Sequence, residues 1–370
     1  MSRPLTGPEF GSYAPDEVAW LLTDLSGAEL EAPAEEREES IQSGAAHYAE
    51  SLPVEFRPDA RYLELFHVAL AATARRLAHA VGVVTELVLA ERSPAPVLVS
   101  LARAGTPVAI LMRRWAAFAH GAAPPHYAIS IVRGRGMDTV ALRWLAAHHD
   151  PASVVFVDGW TGKGAITREL AEAVGKANAE LGTCFDPELA VLADPGSCVR
   201  TFGTRADFLI PSACLNSTVS GLVSRTVLNE SLIGPGQFHG AKFYAELAGE
   251  DVSALFLDAV SDRFADVAGT VRNELPRLQG GDRTPTWAGW CAVEQLGARY
   301  GIDDLNLIKP GVGETTRVLL RRVPWRVLAR PDRDVDLAHV LLLAEQRGVP
   351  VEYVPGLPYT CVGLIRPAAG

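Results

Sequence analysis

The stretch VVFVDGWTGKGAI, residues 154–166, fixes the fold class of this chain. It joins an apolar strand to a glycine-rich loop that opens a helix. Gly162 and Gly164 let backbone N–H groups close around an anion, and the helix that follows presents free N–H groups and a positive dipole end. Thr161 adds a hydroxyl and Lys163 adds a positive charge. The stretch predicts a βα unit with an anion-binding loop; the alternative is an ordinary strand-to-helix turn that uses glycine only for tightness.

Outward from this unit, short apolar runs alternate with helical patterns. Such alternation predicts an α/β fold with a Rossmann-like parallel sheet and helices on both faces. In sheets of this type, ligands bind at the carboxyl ends of the strands. The predicted strands are PVLVSL (96–101), HYAISIV (126–132), SVVFVD (153–158), LAVLAD (189–194) and DFLIPSA (207–213).

The rest of the chain divides into an acidic N-terminal extension at 1–55, a main domain at 56–275 and a second, smaller α/β domain at 285–370. A short helix is expected near 16–24, within the extension. The linker LQGGDRTPT (278–286) precedes the last domain.

Composition limits the function. The 370 residues carry a formal net charge of -10, so any nucleic-acid contact must be local. The five cysteines are widely spaced without a C-x-x-C pair, which argues against a disulfide framework or a zinc site and favours a reducing cytoplasm. No stretch approaches the ~18 apolar residues of a membrane helix.

Three further groups of residues are candidates for a site. Asp158, at a strand end, is placed to hold ribose hydroxyls or a hydrated Mg²⁺. Arg133 and Arg135, on a Gly-rich loop, can clamp phosphates, although a solvated loop explains them equally well. The stretch DFLIPSACLNSTVSGLVSRTVLN (207–229) is dense in small hydroxyl residues. Together with FHGAKFY (238–244), it is predicted to form a pocket wall. The candidate wall residues are Ser212, Asn216, Ser217, Thr218, Arg225, His239 and Lys242.

The loop at 158–164 resembles the phosphoribosyl-diphosphate motif of type I phosphoribosyltransferases. VLVSLARAGTPVAILM similarly resembles their diphosphate-binding loop. The resemblance implies that Thr161 to Gly164 hold a 5-phosphate and that Arg103, Ala104 and Gly105 hold diphosphate, with Mg²⁺ as the cofactor at Asp158. It also implies a mobile loop, here Arg133 and Arg135, that closes the site.

Residues from about 40 to 260 resemble the bacterial StiP family of tellurium-resistance-type stress gene clusters. The resemblance rests on IQSGAAHYAE, VLVSLARAGTPV, HYAISIVRGRGMD, FVDGWTGKGAI and FLIPSACLNSTVSGLVSRTVLN. The family carries both a phosphoribosyltransferase and a cysteine protease description. For a protease, Cys214 with His239 or His126 is the best nucleophile–base pair, against the alternative that Cys214 is a buried small hydrophobe.

KPGVGETTRVLLRR resembles the opening of Pelota-type RNA-binding domains. The resemblance places RNA contacts at Gly311, Gly313, Glu314 and Arg317, and Arg321 shares the helix face of Arg317. The alternative is an accessory domain with a solvated arginine face.

Together these features favour a phosphoribosyltransferase-like enzyme of stress response that acts at C1 of a ribose 5-phosphate. RNA contact at the C-terminal domain and homo-oligomerisation are further expectations. The alternatives are a ribonucleotide-sensing, RNA-binding regulatory protein and a cysteine protease.

Overall fold

The computed structural model describes residues 3–32, 49–55, 57–92, 95–132, 134–321, 323–332 and 334–366. Within these ranges the strands are Ala19–Leu21 (β1), Thr23–Asp24 (β2), Glu31–Ala32 (β3), Leu52–Pro53 (β4), Val97–Leu101 (β5), His126–Ile129 (β6), Ile131–Val132 (β7), Gly136–Met137 (β8), Val154–Trp160 (β9), Leu189–Ala193 (β10), Thr201–Thr204 (β11), Gly240–Ala241 (β12), Ile308–Pro310 (β13), Arg326–Ala329 (β14), Val351–Tyr353 (β15) and Cys361–Leu364 (β16).

The α-helices in the same ranges are Ala60–Glu91 (α1), Thr106–His120 (α2), Thr139–His148 (α3), Ala165–Leu181 (α4), Ser253–Ser261 (α5), Phe264–Gly280 (α6), Ala288–Tyr300 (α7), Val312–Arg321 (α8) and Asp334–Gln346 (α9). Among these described helices, none is both long and apolar enough to cross a membrane.

In the part of the chain that the structure describes, the main sheet has six strands in the order β1-β6-β5-β9-β10-β11, and every neighbouring pair is parallel. Its apolar strands are buried on both faces, as in other parallel sheets. One face packs against α1 and α2, and the other packs against α3 and α4. The predicted mixed α/β architecture with a parallel sheet is confirmed.

The long helix α1 begins at an N-cap residue, Asp59. The Asp59 carboxylate accepts hydrogen bonds from the N–H groups of Arg61 and Tyr62, at 3.0 and 3.1 Å. An N-cap of this kind satisfies donors that the first turn leaves open. Alanine, leucine and valine side chains then bury one side of the helix against the sheet, so that tertiary packing supports its 32 residues.

Two local predictions are wrong. The helix expected near 16–24 is absent from the described residues; Ala19–Leu21 is the edge strand β1 and pairs with β6, so this part of the segment 1–55 belongs to the main sheet. The strand predicted at 207–213 is irregular backbone that leads into a 3-10 helix at Pro211–Cys214. The sixth strand is β11, which is short and contains a glycine. The domain limits 1–55, 56–275 and 285–370 stay a prediction.

The smaller C-terminal sheet has the order β13-β16-β14-β15. It is mixed, because β16 runs antiparallel to both its neighbours while β14 and β15 are parallel. Helices α8 and α9 pack against each other and bury leucine and valine side chains in a core that continues into the main domain. The two units therefore share an apolar contact in addition to the linker.

Candidate functional site

Two of the predicted loops meet at the carboxyl edge of the main sheet. Gly105 lies so close to β9 that an added Cβ would stand 2.3 Å from the Val157 carbonyl oxygen and 3.0 Å from the Asp158 Cα. A Cβ on Gly159 would lie 3.5 Å from the Ala104 carbonyl oxygen. The Arg103–Gly105 loop and the loop that begins at Asp158 are therefore adjacent.

Asp158 lies at this edge and has a pKa near neutrality. It keeps some accessible surface, but the protein packed around its carboxyl raises its pKa from 3.8 to about 7. The Gly159 N–H donates a hydrogen bond to Oδ1 at 2.8 Å and opposes part of that rise. A carboxyl group that titrates near pH 7 in such a position can act as a general acid or base. Among the described residues no group of three or more acidic, histidine or cysteine side chains could hold a metal ion, and the Mg²⁺ at Asp158 stays a prediction.

The Arg103 guanidinium turns toward the predicted pocket wall. It donates to the Val223 carbonyl at 3.1 Å and lies 3.7 Å from the Glu55 carboxylate. Burial lowers its pKa, Glu55 opposes this, and the nearby Arg317 adds to the lowering. Glu55 also accepts from the N–H and the hydroxyl of Ser217, at 3.0 and 2.6 Å. Ser217 is thus the wall residue that the structure joins to the Arg103 loop.

The predicted phosphate loop is covered by the C-terminal unit. The buried Thr161 hydroxyl donates to Asp194, and the Gly162 carbonyl accepts from the Tyr359 hydroxyl at 2.9 Å. Lys163 Nζ donates to the Leu305 carbonyl at 2.5 Å. These three groups are engaged within the protein instead of facing an open anion site.

Sequence reasoning missed a buried polar cluster beside this loop. The fully buried Asp194 accepts from the N–H groups of Cys198 and Val199, at 2.9 and 3.1 Å, and forms an ion pair with Arg205. The Cys198 thiol bonds to the Thr161 side chain, and burial raises its pKa to about 11. An aspartate directly after the apolar strand LAVLA was the available signal.

Gly164 holds Cys198 against the start of α4. It adopts a φ of 78°, in the left-handed region, and an added Cβ would stand 2.8 Å from Cys198 Sγ and 2.5 Å from the Trp287 ring. Only a glycine meets both requirements. The segment that leads into α7 covers this loop, with the Trp287 N–H donating to the Ser197 carbonyl at 2.9 Å.

The other wall candidates are placed elsewhere. Arg225 donates to the Ser51 carbonyl at 2.5 Å, and Lys242 pairs with Glu31 at 2.9 Å, so both fasten the N-terminal segment. The remaining three candidates lie in the turns between 211 and 220, and they are Ser212, Asn216 and Thr218. Their backbone carbonyls accept hydrogen bonds from backbone N–H groups. The Asn216 carbonyl also accepts from a serine hydroxyl.

The residues proposed for a protease do not converge. Cys214 is fully buried in the apolar cluster on the α1 side of the sheet. His126 donates from Nδ1 to the Glu17 carbonyl and accepts at Nε2 from the Ser100 hydroxyl, both at 2.8 Å; burial lowers its pKa to about 4. His239 has Nδ1 2.9 Å from the Ser130 hydroxyl, just after β6, and burial lowers its pKa.

The basic loop is described in part. Arg133 lies outside the described residues. Arg135 is half-exposed and lies 3.8 Å from the Glu50 carboxylate.

The predicted RNA loop faces the main domain. A Cβ on Gly311 would lie 3.2 Å from the Asp207 carboxylate, which accepts from the Val312 N–H at 2.9 Å. A Cβ on Gly313 would lie 3.5 Å from the Ala213 Cβ. Glu314 lies 3.9 Å from Arg317 on the first turns of α8. The side chain of Arg321 lies outside the described residues.

A small cavity of about 20 Å³ remains between the two units, lined by Trp160, Thr161, Asp207, Pro310, Gly311 and Glu314, among others. This is room for about one water molecule. The interface is therefore closed at Trp160 and Thr161.

The comparisons with known proteins assign both units. Residues 11–261 match the family described as tellurite-like stress resistance cysteine protease StiP, and residues 287–367 match the PELOTA RNA binding domain. A curated relative from Acinetobacter baylyi, named cysteine protease StiP, is 34% identical over 371 residues, which cover 96% of this chain and 94% of the relative. No solved structure matches the chain significantly.

These names correct the main prediction from the sequence. A phosphoribosyltransferase acting at C1 of a ribose 5-phosphate is wrong, because the matching family and the relative are both described as a cysteine protease. The resemblances to the StiP family and to a Pelota-type domain are confirmed.

Proposed function

Because this chain belongs to the StiP family of tellurite-like stress resistance proteins, we propose that it is a peptide hydrolase that uses a cysteine thiol at the carboxyl edge of its main sheet. One observation carries the choice of thiol: Cys198 lies beside the loop that begins at Asp158, at the edge where parallel sheets bind ligands. The finer idea of a phosphoribosyltransferase-type sheet concerns the fold alone and stays a proposal.

The other thiols fit this role less well. Cys214 and Cys361 are both fully buried in the apolar cluster on the α1 side of the sheet. Cys184 and Cys291 are exposed, on a loop and on α7. A thiolate is the nucleophile, so a position that offers a proton acceptor has the advantage.

Cys198 has such an acceptor through Thr161. The Thr161 side chain bonds to the thiol and donates its own proton to Asp194, which provides a path for the thiol proton. The thiolate then attacks the peptide carbonyl, the amine leaves with the proton that passed to Asp194, and a thioester remains. Asp158 serves as the general base for the water that hydrolyses this thioester, since its pKa is near neutrality.

His239 is not assigned the role of base for this thiol. It contacts Ser130, which follows β6, whereas Cys198 lies in the loop after β10. Three strand-to-strand steps of about 4.8 Å separate β6 from β10, which is beyond hydrogen-bond reach.

The test compares two buried thiols with the same substitution. Hydrolysis of a fluorogenic peptide library is measured for the full chain, Cys198→Ala and the matched control Cys214→Ala, with circular dichroism as the check on folding. We expect Cys198→Ala to lower kcat/KM by at least about 10³-fold and Cys214→Ala to change it within a few-fold. The opposite pattern makes Cys214 the nucleophile, and a wild-type chain that cleaves no peptide refutes the hydrolase.

A second function is favoured by one specific observation. Residues 287–367 match an RNA-binding domain, and we propose that the C-terminal unit of this chain also binds RNA.

A further inference from the structure

The C-terminal sheet has one end against the main domain and one end away from it. β14 and β16 are antiparallel, with Ala329 opposite Cys361 and Arg326 opposite Leu364. The Gly311 N–H bonds to the Cys361 carbonyl at 2.8 Å, so the Cys361 end is the docked end. At the Arg326 end, the contacts of Tyr300, Trp325 and Arg326 lie within the C-terminal unit. We call this the free end, and it carries the features described next.

Two aromatic rings lie together at the free end. Tyr300, the last residue of α7, and Trp325, just before β14, have ring centroids 6.1 Å apart with planes at 84°. Both residues are half-buried, so that part of each ring surface remains accessible. Aromatic faces of this kind are platforms on which unpaired bases stack.

Three guanidinium groups surround these rings. Arg326 and Arg366 lie 5.2 and 5.1 Å from the Trp325 ring centroid, and Arg299 lies 5.3 Å from that of Tyr300. We call these five residues the free-end patch. Each arginine is within the range of a cation–π contact, which orients the guanidinium.

Among the described residues, Glu352 is a carboxylate that faces the free-end patch. Glu352 on β15 accepts from the Tyr300 hydroxyl at 2.8 Å and from Arg299 at 3.2 Å, and it pairs with Arg326. The Arg326 Nε–H is buried without a hydrogen-bond partner in the described part of the chain. Three positive charges against one negative charge leave a formal charge of +2 on a chain whose total is -10.

We infer that the free-end patch is a binding site for single-stranded RNA, with bases stacked on Trp325 and Tyr300 and phosphates held by Arg299, Arg326 and Arg366. Guanidinium groups bind phosphate oxygens in bidentate fashion, and aromatic faces accept any unpaired base. A duplex offers phosphates but no free base faces, so single strands are preferred. This inference rests on the proposed RNA function and moves its contacts away from Gly311–Arg317.

The test uses the full chain and a fluorescein-labelled 15-residue oligouridylate. Fluorescence anisotropy gives Kd between about 50 and 300 mM salt. Contacts to three phosphates predict a slope of log K on log salt near about -2, at roughly -0.7 per phosphate of a single strand. The Arg299→Ala, Arg366→Ala double variant should weaken binding and reduce the slope to about -0.7, since one guanidinium remains.

Further variants test base stacking on Trp325 and the location of the RNA site separately. Trp325→Leu should weaken binding by at least about fivefold while leaving the salt slope unchanged, because stacking involves no counterion release. Arg317→Ala tests the rival contact at the docked end. Arg330→Ala, whose side chain pairs with Asp332, is the matched control and should keep both the affinity and the slope. The arginine variants change exposed side chains, so they test the site even where Trp325→Leu fails to fold.

Each outcome has a distinct meaning. If the wild-type chain binds no oligouridylate or structured RNA, both the RNA function and the free-end patch are refuted. If RNA binds and only Arg317→Ala weakens it, the RNA function stands and the free-end patch is wrong. Equal affinity for a duplex of the same charge refutes the stacking.

Discussion

Asp207 joins the two units, and removing its carboxylate should loosen the closed interface. The carboxylate accepts from the N–H groups of Val312 and Thr360, at 2.9 and 2.7 Å. Val312 begins α8, so the negative charge also lies at a positive helix end. Asp207→Ala leaves two interface donors without their acceptor.

The magnitude follows from these two bonds. Each unsatisfied backbone donor costs about 1–3 kcal/mol, and removing a buried charge returns part of that cost. We expect Asp207→Ala to destabilise the docked arrangement by about 2–4 kcal/mol. Because every 1.4 kcal/mol is tenfold, the amides of Val312 and Thr360 should exchange with solvent about 30- to 1,000-fold faster, as measured by hydrogen exchange at pH 7.

The effect should depend on pH in a defined direction. Burial raises the pKa of Asp207 from 3.8 to about 6, so the folded chain binds its proton at a higher pH than the unfolded chain does. This group therefore lowers stability most above pH 6 and less as the pH falls toward 4. The wild-type protein gains that stability on acidification, and the Asp207→Ala variant does not. The difference between their free energies of unfolding, measured by urea denaturation, should therefore be larger at pH 5 than at pH 7.

A matched control crosses the same interface. Asp336→Ala removes the ion pair between Asp336 and Arg76, at 2.6 Å; the Arg76 side chain is 42% exposed. Such a pair contributes less than about 1 kcal/mol. If Asp207→Ala accelerates exchange no more than Asp336→Ala, or if the two urea curves differ equally at both pH values, the account of Asp207 is refuted.

The remaining predictions concern the carboxyl edge. Peptide hydrolysis should increase as the pH rises through about 7, where Asp158 loses its proton, and Asp158→Asn should remove that limb from the pH–rate profile; an unchanged limb contradicts the general base. Gly105→Ala should destabilise the fold by more than about 2 kcal/mol in urea denaturation because of the 2.3 Å contact, whereas Gly175→Ala, in open space on α4, should stabilise it by up to about 1 kcal/mol. Iodoacetamide should label Cys198 far more slowly than the exposed Cys291 at pH 7, by mass spectrometry, because burial raises the Cys198 pKa to about 11; comparable rates refute that protection.

Much of the main sheet could be predicted because its strands are continuous apolar runs. β5, β9 and β10 lie where VLVSL, VVFVD and LAVLA predict them, since burial on both faces leaves no polar alternation to confuse the pattern. β1 and β11 could not be predicted. Each has three or four residues, and β1 is defined by pairing with β6, more than 100 residues along the chain. Local propensity carries no information about such a partner.

In the candidate site, too, some features follow from the local sequence and others depend on distant partners. Parallel strands bring their carboxyl ends to one edge, so the proximity of the Arg103–Gly105 loop and Asp158 follows from the strand predictions alone. The cover over Gly162 and Gly164 comes from Tyr359 and Trp287, which lie in the other unit. Docking between units depends on surface shape and long-range contacts, which a one-dimensional pattern does not contain.

The closed interface affects the two proposed functions differently, namely peptide hydrolysis at Cys198 and RNA binding at the free-end patch. The Cys198 thiol lies beneath Gly164 and the segment around Trp287, and burial keeps it protonated at neutral pH. A peptide can reach this thiol only after that segment moves, so the interactions that hold the docked arrangement, including those of Asp207, oppose hydrolysis. Asp207→Ala should therefore lower stability and raise the rate of peptide cleavage together. RNA at the free-end patch lies on the far side of the same sheet, so its affinity should not change in this variant.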